Sequence, residues 1–198
     1  MALTLNGGAN TIGGLAVGGL PDGIVDIDML ATSVARGKIL QVVQSVKTDV
    51  SSTTTKESWL DIAGTDQAGS GSVFCVKITP TAATSKILFS TTVHYHTTNN
   101  NIAAIGLYRD STLITQGDAA TSKMRASSMM YESDDINIQL KHLQYLDSPN
   151  STSELTYKQQ HYTYNEDAFY VNRCTRDYAG THYDHRVSSI LTVMEVAA

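Results

Sequence analysis

Six histidines are the residues of this chain best suited to bind a metal ion. His94 and His96 lie two residues apart in a run with strand character, so their side chains should project from one face of a sheet. If three copies of the chain met at an axis close to these residues, their imidazoles could form an octahedral transition-metal site. Ordinary polar positions on a strand would give the same pattern. Both interpretations stay open, and no other motif predicts a cofactor.

Catalytic side chains are present, but they follow no recognisable pattern. The chain has no G-x-S-x-G motif, and Cys174 has neither a glycine-rich flank nor a helix start to activate it. Glu132, Asp134 and Asp135 could act as the paired carboxylates of a glycosidase, but adjacent acidic residues on a turn are usually solvated. We therefore predict that the protein is not an enzyme. A depolymerase would need two carboxylates facing each other across a groove.

Ten tyrosines suggest a binding surface. Many of them lie in the second half of the chain beside Asn, Gln, His and Asp, where the ring offers an apolar face and the hydroxyl a polar contact. Such residues suit a carbohydrate or a protein surface, and they would equally suit subunit interfaces and sandwich edges. The candidate receptor contacts are Asn99, Asn100, Asn101, Tyr162, Tyr164, Asn165, Tyr178 and Tyr183.

These side chains must be positioned mainly by β-strands. β-Branched and aromatic residues fill 87–96 and 102–107 around a polar break, which predicts a β-hairpin, and a tight turn at 108–111 with a strand at 112–115 extends it to a meander. Further strands are predicted at 39–46, 59–62, 73–79, 124–131, 136–146, 154–164, 168–172 and 187–196. Such a series predicts an all-β head over residues 38–198, an antiparallel β-sandwich or jelly roll.

Residues 1–37 have a different composition. Glycine pairs recur, and so many glycines raise the entropic cost of ordering an isolated chain, so an extended segment fixed by a partner is expected. Asp28 could cap a short helix that ends before Gly37. We predict an N-terminal docking arm, with a loose tail as the alternative. Its candidate docking residues are Leu15, Val17, Leu20 and Ile24.

Charge and composition exclude several partners. The net charge is −5, and no basic stripe could follow a phosphate backbone, so nucleic acid is not expected as a ligand. No apolar run reaches the length of about 18 residues that a membrane span needs, so no membrane insertion is expected. The N-terminus lacks the pattern of a signal peptide, which predicts a protein that is made and kept in the cytoplasm unless it leaves by another route. Cys75 and Cys174 should be buried free thiols, although a single bridge stays possible.

Six segments of the chain have distinctive sequences: NTIGGLAVGGLPDG (10–23), KILQVVQSVKTD (38–49), GLYRDSTLITQGDA (106–119), HLQYLDSPNSTSELTYK (142–158), FYVNRCTRDYAGTHYD (169–184) and SSILTVMEV (188–196). In these segments the chain resembles a group of virion proteins of tailed phages, especially those of marine and cyanobacterial phages, and the resemblance covers most of the chain. The resemblance implies a short tail fibre or related appendage, with an N-terminus that binds the particle and a trimeric jelly-roll head similar to tumour-necrosis-factor and complement-type domains. It implies no particular site residue.

Two functions are consistent with these features. The first is a virion structural protein, a homotrimeric tail fibre or adhesin. Its arm would bind other virion proteins and its head a glycan or protein of the host surface. The alternative is a capsid decoration (cement) protein, whose arm would lock neighbouring capsid subunits. An exposed aromatic cluster favours the first, and uniformly polar loops favour the second.

Overall fold

The structure, a computed structural model, describes residues 38–98, 100–165, 168–180 and 182–197, together with the backbone of β1 (Thr4–Asn6) and β2 (Thr11–Gly13). β1 and β2 pair antiparallel. The chain divides into two compact units, Met1–Gly37 and Lys38–Ala198. The four predicted docking residues of the arm and the predicted short helix lie outside the described residues, so the role of the arm stays a prediction.

The described part of residues 38–198 consists of two antiparallel sheets. The first sheet contains β3 (Ile39–Lys47), β4 (Ser51–Thr53), β7 (Lys86–Thr97), β11 (Gln139–Asp147), β13 (Phe169–Val171) and β14 (Ser189–Val196). The second contains β5 (Leu60–Asp61), β6 (Cys75–Ile78), β8 (Asn101–Arg109), β9 (Thr112–Thr115), β10 (Ser128–Glu132) and β12 (Leu155–Thr163). The described ranges contain no helix, and so no helix that could cross a bilayer. The prediction of an all-β, antiparallel fold is confirmed.

The core lies between the two sheets. Along β7 and β12, buried side chains alternate with half-exposed ones, as expected when one face of each strand is covered. The Phe89 ring of the first sheet lies 5.3 Å from the Tyr157 ring of the second, a tilted aromatic contact across the core. Cys75 and Cys174 are buried free thiols, as predicted.

The predicted hairpin between 87–96 and 102–107 is wrong. Both segments are strands, β7 and β8, but they belong to different sheets. β7 pairs with β11, β13 and β14, whereas β8 pairs with β9, β10 and β12. The polar break therefore carries the chain from one sheet to the other. The second predicted hairpin is confirmed, because β8 and β9 pair across a tight turn in which Asp110 has a φ of 53°.

Strand order places distant parts of the chain side by side. In the first sheet the order is β3, β14, β7 and β11, with β13 and β4 continuing the positions of β14 and β3 beside the end of β7. In the second sheet the order is β6, β12, β8 and β10, with β5 and β9 extending the two edges. β12 and β8 are thus the central strands of the second sheet, and they form the floor of the site described next.

Candidate functional site

The outer face of the second sheet carries a group of apolar and aromatic side chains. Ala104 of β8 pairs with Met129 of β10 on one side and with Tyr162 of β12 on the other, so the three residues form a row across the sheet. In the neighbouring row, Ile102 pairs with Tyr131. Successive side chains of a strand point to opposite faces of the sheet, and the residues that alternate with these five along their strands face the core. The five side chains therefore point away from the core. The result is an apolar floor on an outward-facing surface.

The connection between β9 and β10 forms a wall beside this floor. Backbone hydrogen bonding closes the loop where Gly117 N–H donates to the Ala126 carbonyl at 3.3 Å, and the Arg125 Nε–H donates to the Gly117 carbonyl at 2.7 Å. At its base the Ser127 hydroxyl donates to the Thr115 carbonyl at 2.6 Å and accepts from the Leu107 N–H at 2.9 Å. These contacts fix the position of the loop relative to β8.

A cleft of about 610 Å³ lies between this loop and the sheet. Its volume falls within the range of pockets that bind small ligands, roughly 300–1,000 Å³. Charged groups at Asp118, Lys123 and Arg125 lie on the loop side and are exposed. The apolar and aromatic lining residues are Ile102, Ala104, Met124, Ala126, Met129, Tyr162 and Tyr164.

An aromatic cluster supports the cleft beside Tyr162. The Trp59 ring lies 5.8 Å from the Tyr162 ring and 5.8 Å from the Tyr108 ring. Close packing is possible because Gly106 has no side chain. A Cβ there would lie 2.7 Å from Tyr108 Cε2, 2.9 Å from Leu113 Cδ1 and 3.1 Å from Trp59 Cζ3. The cluster therefore packs directly on the backbone of β8.

Replacing Gly106 with alanine should disturb this cluster. We expect the free energy of unfolding to fall by about 1–3 kcal/mol, the usual cost of overpacking a well-packed site. Because Trp59 is the only tryptophan, its fluorescence reports the displacement directly. Gly117→Ala is the control, since a Cβ at Gly117 meets nothing within 4 Å. Equal spectra and stabilities for the two variants would contradict the packing role of Gly106.

Asp61 is an acidic residue whose charge acts on Tyr108 of this cluster. Its carboxylate lies 2.7 Å from Lys158 Nζ and accepts a hydrogen bond from Gln160 Nε2 at 2.8 Å. Burial raises the pKa of the Tyr108 phenol, and the negative charge of Asp61 raises it further. Tyr108 is therefore a neutral hydroxyl at physiological pH, which suits its place in the apolar cluster.

Some of the predicted receptor contacts come together, and others do not. Tyr162 and Tyr164 both line the cleft, and Tyr164 is 68% exposed. Tyr178 and Tyr183 are strongly exposed on the segment after β13 and do not line the cleft. Asn165 is exposed just after β12.

The three asparagines of the predicted contact loop differ from one another. Asn100 is exposed, with a φ of 64°, and its side-chain oxygen accepts from the Tyr131 hydroxyl at 2.9 Å. Asn101 is fully buried and donates to the Thr97 hydroxyl at 3.0 Å, so it serves the structure and is removed from the set of receptor contacts. Asn99 lies outside the described residues.

The predicted metal pair is not supported by the positions of its ring nitrogens. His96 is fully buried, with Nδ1 2.7 Å from the Asn137 carbonyl and Nε2 2.6 Å from the Thr175 hydroxyl, so both of its nitrogens are already engaged. His94 is half-buried on the outer face of the first sheet. In the part of the chain that the structure describes, no three metal-binding side chains cluster together. We correct the prediction by removing His96 from it.

Sequence reasoning missed most of the cleft. Met124, Met129 and Ile102 were not candidates, because single apolar residues on strands predict core positions by default. The signal that could have pointed to them is the pairing of β8 with β10 and β12, which places outward-facing apolar residues next to the tyrosines. No local pattern contains that pairing.

No protein-family model and no curated protein matches this chain. An apolar floor, two tyrosine rings and a charged rim can hold a ligand that has both apolar and polar faces.

Proposed function

We propose that this protein is a virion structural protein of a bacteriophage, a homotrimeric tail fibre or adhesin that attaches the particle to the host surface. The observation that carries the proposal is the outward-facing cleft with Tyr162 and Tyr164, which is an exposed aromatic cluster of the kind the attachment hypothesis requires. Residues 1–37 act as the arm that binds other virion proteins, and the ligand of the head is a glycan or protein of the host surface.

The strand pairing supports a jelly-roll head. Eight strands form a nested series of pairs, in which the first strand pairs with the last, the second with the next to last, and so on. In chain order the eight strands are β3, β6, β7, β8, β10, β11, β12 and β14. The pairs are β3 with β14, β6 with β12, β7 with β11 and β8 with β10. Folding such a ribbon of paired strands over itself adds the contacts of β14 with β7 and of β12 with β8. This pairing supports the proposal of a jelly roll, a fold that occurs in viral capsid and lectin domains.

The outer face of the first sheet supports self-association. Cross-strand pairing aligns three rows there: Val42, Met194, Leu88 and Leu146; Gln44, Thr192, Ser90 and Gln144; and Val46, Ile190, Thr92 and His142. The first row, named here the apolar row, is continuous across four strands. None of the three rows contains Lys, Arg, Asp or Glu. Three adjoining uncharged rows, one of them apolar throughout, are typical of the core of a homo-oligomer interface, where charged residues are depleted.

A trimer would present three identical clefts, so weak contacts with a repetitive host surface would act together. Linked sites can raise overall binding by about 10²–10⁴ over a single site without any new contact. This multivalency makes a shallow, partly apolar cleft sufficient for attachment. It also predicts that cell binding depends on both the cleft and the oligomeric state.

Binding of the purified chain to host cells tests the proposal. Tyr164→Ala should weaken binding about tenfold or more, since truncating a central aromatic contact commonly has an effect of that size. Tyr164 is so exposed that the fold should tolerate the change. Tyr183→Ala is the matched control, an exposed tyrosine outside the cleft. If only Tyr183→Ala loses binding, the receptor site lies on the segment after β13 and the cleft is not the attachment site.

The decoration hypothesis predicts another pattern. In that case neither the full chain nor a deletion lacking residues 1–37 binds cells, and the full chain binds empty phage heads. Light scattering in the same experiments gives the mass of each form. A monomeric full chain would contradict the homotrimer.

A further inference from the structure

Arg125, in the wall of the cleft, differs from the other arginines of the head. The described ranges contain five arginines, and four of them form an ion pair with an aspartate. The four pairs are Arg109 with Asp147, Arg173 with Asp177, Arg186 with Asp177 and Arg176 with Asp184. Arg125 has no acidic partner among the described residues, and it lines the cleft.

A backbone contact holds the Arg125 side chain in place. Its Nε–H donates to the Gly117 carbonyl at 2.7 Å. Its two terminal amino groups have no hydrogen-bond partner in the part of the chain that the structure describes. Such groups form a planar fork that binds a carboxylate through two parallel hydrogen bonds. Arg125 is therefore available to bind a carboxylate of a ligand in the cleft.

The charges around the cleft favour a ligand with a single negative charge. Lys123 is a second cation in the lining, and its backbone N–H closes a turn by donating to the Ala120 carbonyl at 2.8 Å. The charged lining residues are Lys123 and Arg125, each +1, and Asp118, −1, so they sum to +1. One carboxylate balances this charge, whereas a phosphate monoester would bring about −1.5 to −2.

The rest of the lining suits a sugar ring. One face of a pyranose presents C–H groups, while its hydroxyls project around the edge. The tyrosine rings and the apolar floor can cover such a face, and Ser122 and Ser128 offer hydroxyl groups at the polar edge. A concave site of about 610 Å³ also fits a short stretch of a glycan better than the surface of a folded protein.

We propose that the cleft binds an acidic glycan, in which a uronic acid residue lies on Tyr162 and Tyr164 and places its carboxylate against Arg125 and Lys123. The inference rests on the proposed attachment function and names the class of ligand at that same site. A glycan with repeated uronic acid residues would offer equivalent carboxylates to each copy of the head.

Isothermal titration calorimetry of the full chain tests the proposal. The probes are short oligomers of glucuronate, galacturonate, mannuronate and guluronate, each beside its methyl ester, which has the same ring without the charge. At least one acid should bind about tenfold or more tightly than its ester, because hydrogen bonds to charged groups are the stronger ones. At about 1 M salt, where the Debye length is about 3 Å, the acid should bind more weakly and the ester as before.

Variants assign the effect to Arg125. Arg125→Gln should weaken binding of that acid by about tenfold to a hundredfold and leave the ester almost unaffected. Arg125→Lys keeps the charge but loses the fork, so it should lose less. Lys38→Gln is the matched control, because it removes the same charge from an exposed residue outside the cleft. Equal losses for Arg125→Gln and Lys38→Gln would show an effect of net charge alone and would contradict the carboxylate site.

The outcomes separate the class of ligand from the attachment function. If acids and esters bind equally, or if no oligomer binds while the chain still binds host cells through Tyr164, the acidic glycan is wrong and attachment stands. If an acid binds as expected but host cells are not bound, the carboxylate site stands and the attachment function is wrong.

Discussion

Replacing Asp147 with alanine should lower the free energy of unfolding of the head by about 3–5 kcal/mol, the usual effect of removing one partner from a buried ion pair. Asp147 ends β11 in the first sheet, and its carboxylate accepts from Arg109 Nη1 at 2.6 Å and from the Tyr157 hydroxyl at 2.8 Å, both in the second sheet. The backbone N–H of Ser148 is a third donor at 2.9 Å. One carboxylate therefore joins the two sheets at this end of the sandwich.

The cost arises from the groups that would remain. Without the carboxylate, the Tyr157 hydroxyl stays buried with no acceptor, and the Arg109 guanidinium, about one-fifth exposed, loses its counter-charge. Burial raises the pKa of Tyr157, and the hydrogen bond to Asp147 and its charge raise it further, so the phenol stays protonated and donates. Asp147→Asn keeps the shape and should cost less than the alanine change.

Urea unfolding monitored by Trp59 fluorescence measures the effect. Asp118→Ala is the control, because Asp118 is exposed on the loop beside the cleft and its loss should change stability by no more than about 0.5 kcal/mol. If Asp147→Ala and Asp118→Ala unfolded at the same urea concentration, the junction between the sheets would depend on apolar packing alone.

The positions of most strands follow from local sequence, because alternation of apolar and polar residues is a property of each strand taken alone. The run 154–164 predicts β12 (Leu155–Thr163), and the run 187–196 predicts β14 (Ser189–Val196). Strand partners do not follow in the same way. A polar break such as 97–101 can turn a chain back on itself or carry it to the facing sheet, and the two outcomes differ only in contacts with residues far along the chain.

The burial of polar residues is likewise not predictable from local sequence. Glu132 was interpreted as part of a solvated acidic turn, yet it is buried and accepts hydrogen bonds from the backbone of Ser133 and Asp134 and from the side chain of Gln139. His96 and Asn101 likewise gain partners from other strands or loops. Composition marks such residues as surface positions, and only the fold shows that their hydrogen bonds are satisfied inside.

Predicting the cleft requires both residue type, which is visible in the sequence, and strand pairing, which is not. Its tyrosines were candidates from their type and neighbours, whereas its floor depends on the pairing of β8 with two other strands. Its wall, the 116–127 loop, has few apolar residues and no periodicity, so nothing in its sequence indicates that it encloses a pocket. Residue type identified the contacts, and strand topology assembled them.

Placing charge on the outer face of the first sheet should convert the proposed homotrimer into monomers. Val42 and Leu146 lie at the two ends of the apolar row, on edge strands β3 and β11, and each is more than half exposed. The single head should therefore fold normally in the double variant Val42→Lys/Leu146→Lys. In the proposed trimer, however, every copy would bury its added cations in an apolar interface without a counter-charge, which costs several kcal/mol. Light scattering at matched concentration measures the mass.

Met129→Lys gives a matched control, since Met129 is 58% exposed on the outer face of the other sheet and lines the cleft. It should stay trimeric and bind cells poorly, whereas the double variant should be monomeric with an intact cleft. Loss of multivalency should then reduce cell binding by about 10²–10⁴ without any change in the cleft itself. A double variant that remains trimeric would show that another surface joins the copies. A monomeric variant that binds cells as well as the unmodified chain would show that attachment does not depend on three clefts acting together.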